Sequence, residues 1–368
     1  MHVLMTADTI GGVWTYCREL VTQLSRKGIR VTLVSFGEIP TSAQTDWLEG
    51  LNDFSLHPTA FRLEWMQDAQ SDLEQAAAFL NDLIVETKPD VLHFNQFFYG
   101  SIGCDLPRIV VAHSDVVSWW VGVHGAEPPD SEWIRTYRGN VMRGLAGADI
   151  VVAPTQWMLD EARRYYGEPR ETAAVYNGRD PRLFMPYEMK ESLAISVGRL
   201  WDAGKQASLL LQSDLPLETI LVGSEQSPAG AVASVQSVGQ FPKLKMKGPQ
   251  TEVQLRQLFA RAEMYIATSR YEPFGLAPLE AALSRCALIA NDIPSLHEVW
   301  GDDALYFERN NPQSLLLTIQ ELASNSSRLG EYADRAFERA RTQYTSEKMA
   351  EEYLKLYRSL VAVEVATA

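Results

Sequence analysis

The chain has 368 residues, 46% of them hydrophobic and 22% charged, with a net charge of −14 at pH 7. This is globular composition with room for two domains, and it excludes a disordered or fibrous chain. The acid excess runs through both halves, so neither offers the broad basic face that a nucleic-acid backbone demands or a simple electrostatic dock for anionic lipid.

Cys17, Cys104 and Cys286 stand far apart without a C-x-x-C pair and read as buried thiols of a cytoplasmic protein. No stretch approaches the roughly 20 apolar residues that span a bilayer. The opening MHVLMTADTIGG has no basic n-region, so neither a transmembrane segment nor a signal peptide is expected.

Short apolar runs alternate with helical patterns along the chain. His2–Thr6, Arg30–Phe36, Val91–Asn95, Ile109–Ala112 and Ile150–Ala153 are rich in Val, Ile and Leu with little polar alternation, which predicts strands covered on both faces. Helical periodicity occupies Val13–Lys27, Asp72–Thr87 and the segment around Asp160–Tyr165, which Thr155 is placed to cap. Residues 177–190, with their prolines and an Asn177-Gly178 turn, read as a linker. The alternation then restarts with strands at Leu193–Val197, Thr219–Val222, Met264–Ala267 and Ala287–Ala290. A Thr251/Gln254 capping box opens a helix over Thr251–Arg261, and the tail from Pro312 to Ala362 is almost wholly helical. Repeated β–α units build parallel sheets with helices on both sides, and ligands of such sheets bind beyond the carboxyl ends of the strands.

Three loops at those ends carry chemistry. Thr9-Ile10-Gly11-Gly12 leads from the first strand into a helix. Its glycines permit close backbone approach to a ligand at a helix N-terminus, although a tight packing turn uses the same residues. It is not G-x-G-x-x-G, which weakens a dehydrogenase reading. Next, Val197-Gly198-Arg199 and Gly204-Lys205 place an arginine at a strand end and a lysine at the opening of the following helix. Such a pair can clamp a diphosphate or form a plain surface ion pair. Gln206 stands where a nucleoside-triphosphatase loop needs Ser or Thr, so that reading fails. The third loop, Ser269 to Glu280, offers the amides of Phe274, Gly275 and Leu276 as an anion cradle, with Glu272 before it and Glu280 inside the helix. Ordinary helix-entry charges are the bland alternative.

The run E-P-F-G-L-A-P-L-E, Glu272 to Glu280, resembles the two-glutamate signature of retaining glycosyltransferases of family 4, which have the glycosyltransferase-B fold. Gly11-Gly12, Asn177-Gly178 and G-R-L-x4-K at 198–205 follow the family's order, so the resemblance covers nearly the whole chain. It implies an α/β protein of two Rossmann-like, doubly wound parallel-sheet domains facing a central cleft. Residues 1–185 would form the acceptor domain and 186–345 the nucleotide-sugar donor domain. A C-terminal helix at 346–368 would cross back to the first, a role that the amphipathic run Ser346–Leu360 suits. The resemblance also implies residue roles. Gly11, Gly12 and Asn177 lie on the donor side, Arg199 and Lys205 hold its diphosphate, and Glu280 binds the ribose hydroxyls. Glu272 touches the transferred sugar, and the amides of Phe274, Gly275 and Leu276 contact sugar or phosphate. His113, just past Ile109–Ala112, matches a family histidine that contacts the donor sugar.

Asp8 suits either an acceptor contact or a cap, and Trp119 and Trp120 suit either stacking on an acceptor sugar or core packing. His93 lies within a strand and reads as a core residue, while His124 and His297 stay open. The expected activity is retaining transfer of a hexose from a nucleoside-diphosphate sugar to an acceptor hydroxyl on a sugar, glycan or lipid-linked glycan. No cofactor is implied. No Asp-x-Asp occurs, so no metal is expected, and Arg199, Lys205 and the loop amides would stabilise the leaving group instead. A nucleotide-sugar epimerase of the same fold and a catalytically silent sugar-nucleotide binding module are the alternatives. A phosphorylase would need a lysine-bound pyridoxal cofactor and a longer chain. The stretches around Pro40–Glu64 and Phe97–Cys104 would choose the acceptor.

Overall fold

The computed structural model describes residues 1–212, 214–226 and 241–367. The chain divides into two compact units: Met1–Val121, Ala126–Gly178 and Ser346–Ala368 form one, Gly122–Gly125 and Arg179–Thr345 the other.

The first unit holds a parallel sheet built from β1 (His2–Asp8), β2 (Arg30–Phe36), β3 (Phe54–Pro58), β4 (Val91–Phe94), β5 (Arg108–Val111), β6 (Ile150–Ala153) and β7 (Thr172–Ala174). Their order is β3-β2-β1-β4-β5-β6-β7. β1 pairs with β2 from His2↔Arg30 to Asp8↔Phe36 and with β4 from Val3↔Val91. Every residue of β1 is buried, which is why its sequence lacks polar alternation. The helix Gly12–Arg26 lays Tyr16, Cys17, Leu20, Val21 and Leu24 onto one face of this sheet. The last helix, Ser346–Thr367, contributes Met349, Tyr353, Leu354 and Tyr357 to the same core, at the spacing of a single helical stripe.

The second unit holds β8 (Glu191–Val197), β9 (Glu218–Val222), β10 (Leu244–Lys247), β11 (Ala262–Ala267), β12 (Ala287–Asn291) and β13 (Leu305–Phe307). Their order is β10-β9-β8-β11-β12-β13, again parallel. The capping box of Thr251 and Gln254 opens Glu252–Arg261 as expected. In each sheet the order reverses at one place, between β1 and β4 and between β8 and β11. Such a switch point leaves a crevice at the strand ends.

Four strands were not anticipated, and all four are edges: β3, β7, β10 and β13. The segment after Lys205 also differs from expectation. Gln206 takes a left-handed conformation at φ 49°, and the next five residues, Ala207–Leu211, form a 3₁₀ helix. Residues 177–190 are less of a plain linker than they read. The Arg179 side chain is fully buried, its N–H donates to the Tyr344 carbonyl at 3.0 Å, and it forms a β-bridge with Thr345. Cys17 and Cys286 are buried free thiols, whereas Cys104 is only half-buried. Among the described residues no helix is long and apolar enough to cross a membrane.

Candidate active site

In the second unit the loops after β8 and β11, flanking the switch point, are tied together by backbone. Thr268 Oγ1 donates to the Lys205 carbonyl at 2.7 Å, and the Arg270 N–H to the Gly204 carbonyl at 2.9 Å. Asp202, buried, caps the turn by accepting the Gly204 N–H at 2.8 Å and binds Arg199 Nη2 at 2.7 Å. The Arg199 side chain is 43% exposed, and its guanidinium also lies over the Trp201 ring at 5.3 Å. Lys205 Nζ meets Glu272 Oε2 at 2.5 Å, and Ser269 Oγ donates to the same oxygen at 2.9 Å. An ammonium has three donors and a guanidinium five, so these pairings leave both cations with N–H groups for an anion.

Gly275 sits at φ 90° and caps the helix Leu276–Leu283 at its N-terminus. A Cβ there would press on Glu272 Cγ at 3.2 Å and Pro278 Cγ at 3.0 Å, so the loop requires glycine. The Phe274 ring is buried edge-on against Tyr344. Gly223, after β9, was not singled out in the sequence. At φ 145° its hypothetical Cβ would lie 1.8 Å from the Gly198 carbonyl oxygen, so it sets how closely the β9 loop approaches the Gly198–Arg199 turn. A glycine directly after a strand was the signal that could have found it.

Glu280 is engaged from below. Arg179 Nε lies 3.0 Å from Glu280 Oε1, an ion pair in which the N–H is not aimed squarely at the oxygen. Arg179 Nη2 donates to Glu252 Oε1 at 2.7 Å. Burial first, and the nearby Glu272 and Glu280 charges after it, push the Tyr265 phenol well above its ordinary pKa. Its hydroxyl donates to the Val197 carbonyl at 3.3 Å.

The first unit places its candidates at the ends of neighbouring strands. Asp8, the last residue of β1, accepts the Ile10 N–H at 2.6 Å, which is its capping role. Gly11 follows at φ 106° and Gly12 begins the helix. His113, beyond β5, reaches Asn95 Oδ1 with Nε2 at 2.7 Å. The Asn95 amide is oriented by Nδ2, which donates to the Thr6 carbonyl at 2.5 Å, so Oδ1 is the acceptor and His113 Nε2 carries the proton. His113 Nδ1 therefore keeps a lone pair. Burial, then the neighbouring His93, lowers the His113 pKa to about 3, so the ring is neutral. Beneath it, His93 Nδ1 meets the Tyr357 hydroxyl at 2.6 Å and Nε2 the Tyr16 hydroxyl at 3.2 Å. His93 is the core residue its position suggested.

Asp115, two residues after His113, was missed by sequence reading. It accepts the Val117 and Ser118 N–H groups and the Tyr166 hydroxyl, fixing the helix Val116–His124 that carries Trp119 and Trp120. Those two rings pack edge to face at 6.2 Å and are half-buried. Asn177 is buried. His297 stacks on Tyr306 at 3.8 Å and pairs with Asp292. Glu64 joins the two stretches expected to choose an acceptor, accepting the Phe97 and Phe98 N–H groups at 2.9 Å each. It borders a cavity of about 540 Å³ lined by Asp68, Gln70, Trp133, Tyr137 and Asn140. Among the described residues no group of three or more His, Cys, Asp and Glu is set to hold a metal ion.

Residues 10–183 match the family described as Glycosyltransferase Family 4, and residues 188–343 that described as Glycosyl transferases group 1. The chain is 22% identical to the alpha-maltose-1-phosphate synthase of Mycolicibacterium smegmatis, over 96% of this chain and 97% of that one. It superposes on the sucrose-phosphate synthase of Thermosynechococcus elongatus with a TM-score of 0.81 and 18% identity, covering 99% of this chain and 100% of the other. Anabaena HepE in complex with UDP and glucose superposes with a TM-score of 0.74 and 17% identity, covering 98% and 100%. The two matches in tandem span the Gly11-Gly12 loop, the β8 loop and the glutamate loop, and the chain is a glycosyltransferase of family 4 with the glycosyltransferase-B fold.

Proposed function

We propose that the chain transfers a hexose from a nucleoside-diphosphate sugar to an acceptor hydroxyl, with retention of anomeric configuration and without a metal. The observation that carries this reading is the Lys205–Glu272 pair at the β8/β11 switch point, beside the N-terminus of the helix Leu276–Leu283. The complex of HepE with UDP and glucose supports a donor of this class. In the reaction the bond from the anomeric carbon to the leaving phosphate oxygen breaks and one to the acceptor oxygen forms on the same face. The departing phosphate takes the acceptor's proton. Lys205, Arg199 and the loop amides stabilise the negative charge that grows on the leaving group. Glu272, held by Lys205 and Ser269, accepts hydroxyls of the transferred sugar. Neutral His113 accepts another through Nδ1.

The test is thermal melting with UDP, GDP, ADP and dTDP, followed by turnover with the matching sugar donor and NMR assignment of the product anomer, with and without EDTA. The expected result is a shift of several degrees with one nucleotide and a retained anomer formed equally well in EDTA. An inverted product, or activity abolished by EDTA and restored by a divalent ion, overturns the mechanism. No shift with any nucleotide overturns the donor class.

A further inference from the structure

Arg179 has one of the most completely buried large side chains in the protein, although it lies in a segment whose sequence reads as a linker. Its surroundings explain how a guanidinium persists there. Glu280 and Glu252 each give it a carboxylate oxygen, at 3.0 and 2.7 Å, and the Phe184 ring stacks under it at 5.5 Å. Its backbone is anchored independently, by the Tyr344 carbonyl and the bridge to Thr345. A buried charge on a backbone fixed at both its own position and its partner's transmits geometry: the planar fork has little choice of direction.

We infer that Arg179 is the positioning residue for Glu280, holding its carboxylate oriented so that it accepts the ribose hydroxyls of the donor nucleotide. The inference rests on the reading of Glu280 as the ribose ligand. A carboxylate offers about four lone-pair sites, so one group can serve a guanidinium beneath and two hydroxyls above. Without the guanidinium, a largely buried Glu280 would lose the charge that compensates it and would turn toward solvent. Lysine is a poor replacement, because its single point charge cannot span Glu252 and Glu280 as the two nitrogens of the guanidinium do.

The experiment compares the affinity of UDP, GDP and ADP with that of their 2′-deoxy and 3′-deoxy counterparts, by titration calorimetry on the full chain. Wild type should bind the ribose form of its nucleotide about 10- to 100-fold more tightly than a deoxy form, the worth of a hydrogen bond to a charged group. Glu280→Ala should reduce that ratio to within about 3-fold. Arg179→Gln should do the same, with the donor KM rising far more than kcat changes. Arg179→Lys, included in case the glutamine variant does not fold, should recover less than half of the ratio on a logarithmic scale. The deoxy ratio separates positioning from general stability, because a merely structural loss weakens ribose and deoxy forms alike. A folded Arg179→Gln or Arg179→Lys protein that keeps the wild-type ratio, while Glu280→Ala loses it, overturns the inference and leaves the ribose reading intact. A wild-type ratio in Glu280→Ala overturns both.

Discussion

At the strand ends of the first unit His113 and its partners are neutral and joined by hydrogen bonds; at those of the second the candidate residues are charged and paired. His113, Asn95, His93, Tyr16 and Tyr357 form one continuous uncharged cluster in which burial has driven both imidazole pKa values to about 3. Arg199–Asp202, Lys205–Glu272 and Arg179–Glu280 are the separate ion pairs of the second. A neutral, desolvated cluster discriminates hydroxyls by direction, since each donor and acceptor has a fixed sense. Paired ions with spare N–H groups take up an anion with little rearrangement. The contrast suits the transfer proposed above, in which a sugar is oriented and a diphosphate released.

The largest expected effect breaks the charged half. Lys205→Ala should lower kcat by roughly 10²–10³ while leaving the melting transition in place, as measured by initial rates and calorimetry. Normal turnover in that variant would remove Lys205 from the mechanism. Gly223→Ala comes next. The backbone contact to Gly198 and the left-handed conformation should together cost about 2–3 kcal/mol, read from denaturant unfolding of the second unit. A neutral result would mean that the β9 loop yields without strain.

The remaining effects, read as a function of pH, sharpen the neutral half. His93 and His113 take up protons near pH 6.5 when unfolded but only near 3 when folded. The unfolded state therefore binds more protons between those values, and stability is full above pH 6.5 and falls as the pH drops through that window. His93→Gln should flatten this acid limb in melts taken from pH 7 to 4. Glu64 acts in the opposite sense. Burial raises its pKa to about 7 from 4.5, against the two backbone N–H groups that favour its charge, so its contribution is lost as pH rises from about 4.5 to 7. Glu64→Gln should gain on wild type across that interval; a constant difference at every pH would show that the carboxyl titrates normally. Glu64 is half-buried at the level of the whole side chain, and its carboxyl group, facing the Phe97 and Phe98 amides, is the enclosed part.

The same physics decides which features the sequence shows and which it hides. The inner strands were legible because burial on two faces demands unbroken runs such as Ile109–Ala112 and Ile150–Ala153. The edges β3, β7, β10 and β13 are half-exposed and as short as three residues, so Thr172–Ala174 or Leu244–Lys247 carries no such run. Arg199, Lys205, Glu272 and Gly275 could be picked out because each falls in a loop between a recognisable strand and the element after it. Arg179 could not: its chemistry depends on Glu252 and Glu280, which lie far along the chain and reach it only through the fold. Asp115 was hidden in the same way by Tyr166, and Lys205 was expected to open an α-helix where Gln206 instead turns left-handed.

The bridge between Arg179 and Thr345 brings the two ends of the second unit's long segment, Arg179–Thr345, to one spot. Among the described residues the apolar cores of the second unit draw on residues from Leu183 to Tyr344, whereas a core of the first includes Met349, Tyr353, Leu354 and Tyr357. On the ribosome, then, the order of synthesis is not the order of completion. The second unit can fold as soon as its own segment has emerged, while the first waits for the last helix to fill its core and to bring Tyr357 to His93. A nascent chain stalled before residue 346 would carry a finished second unit and an unfinished first one.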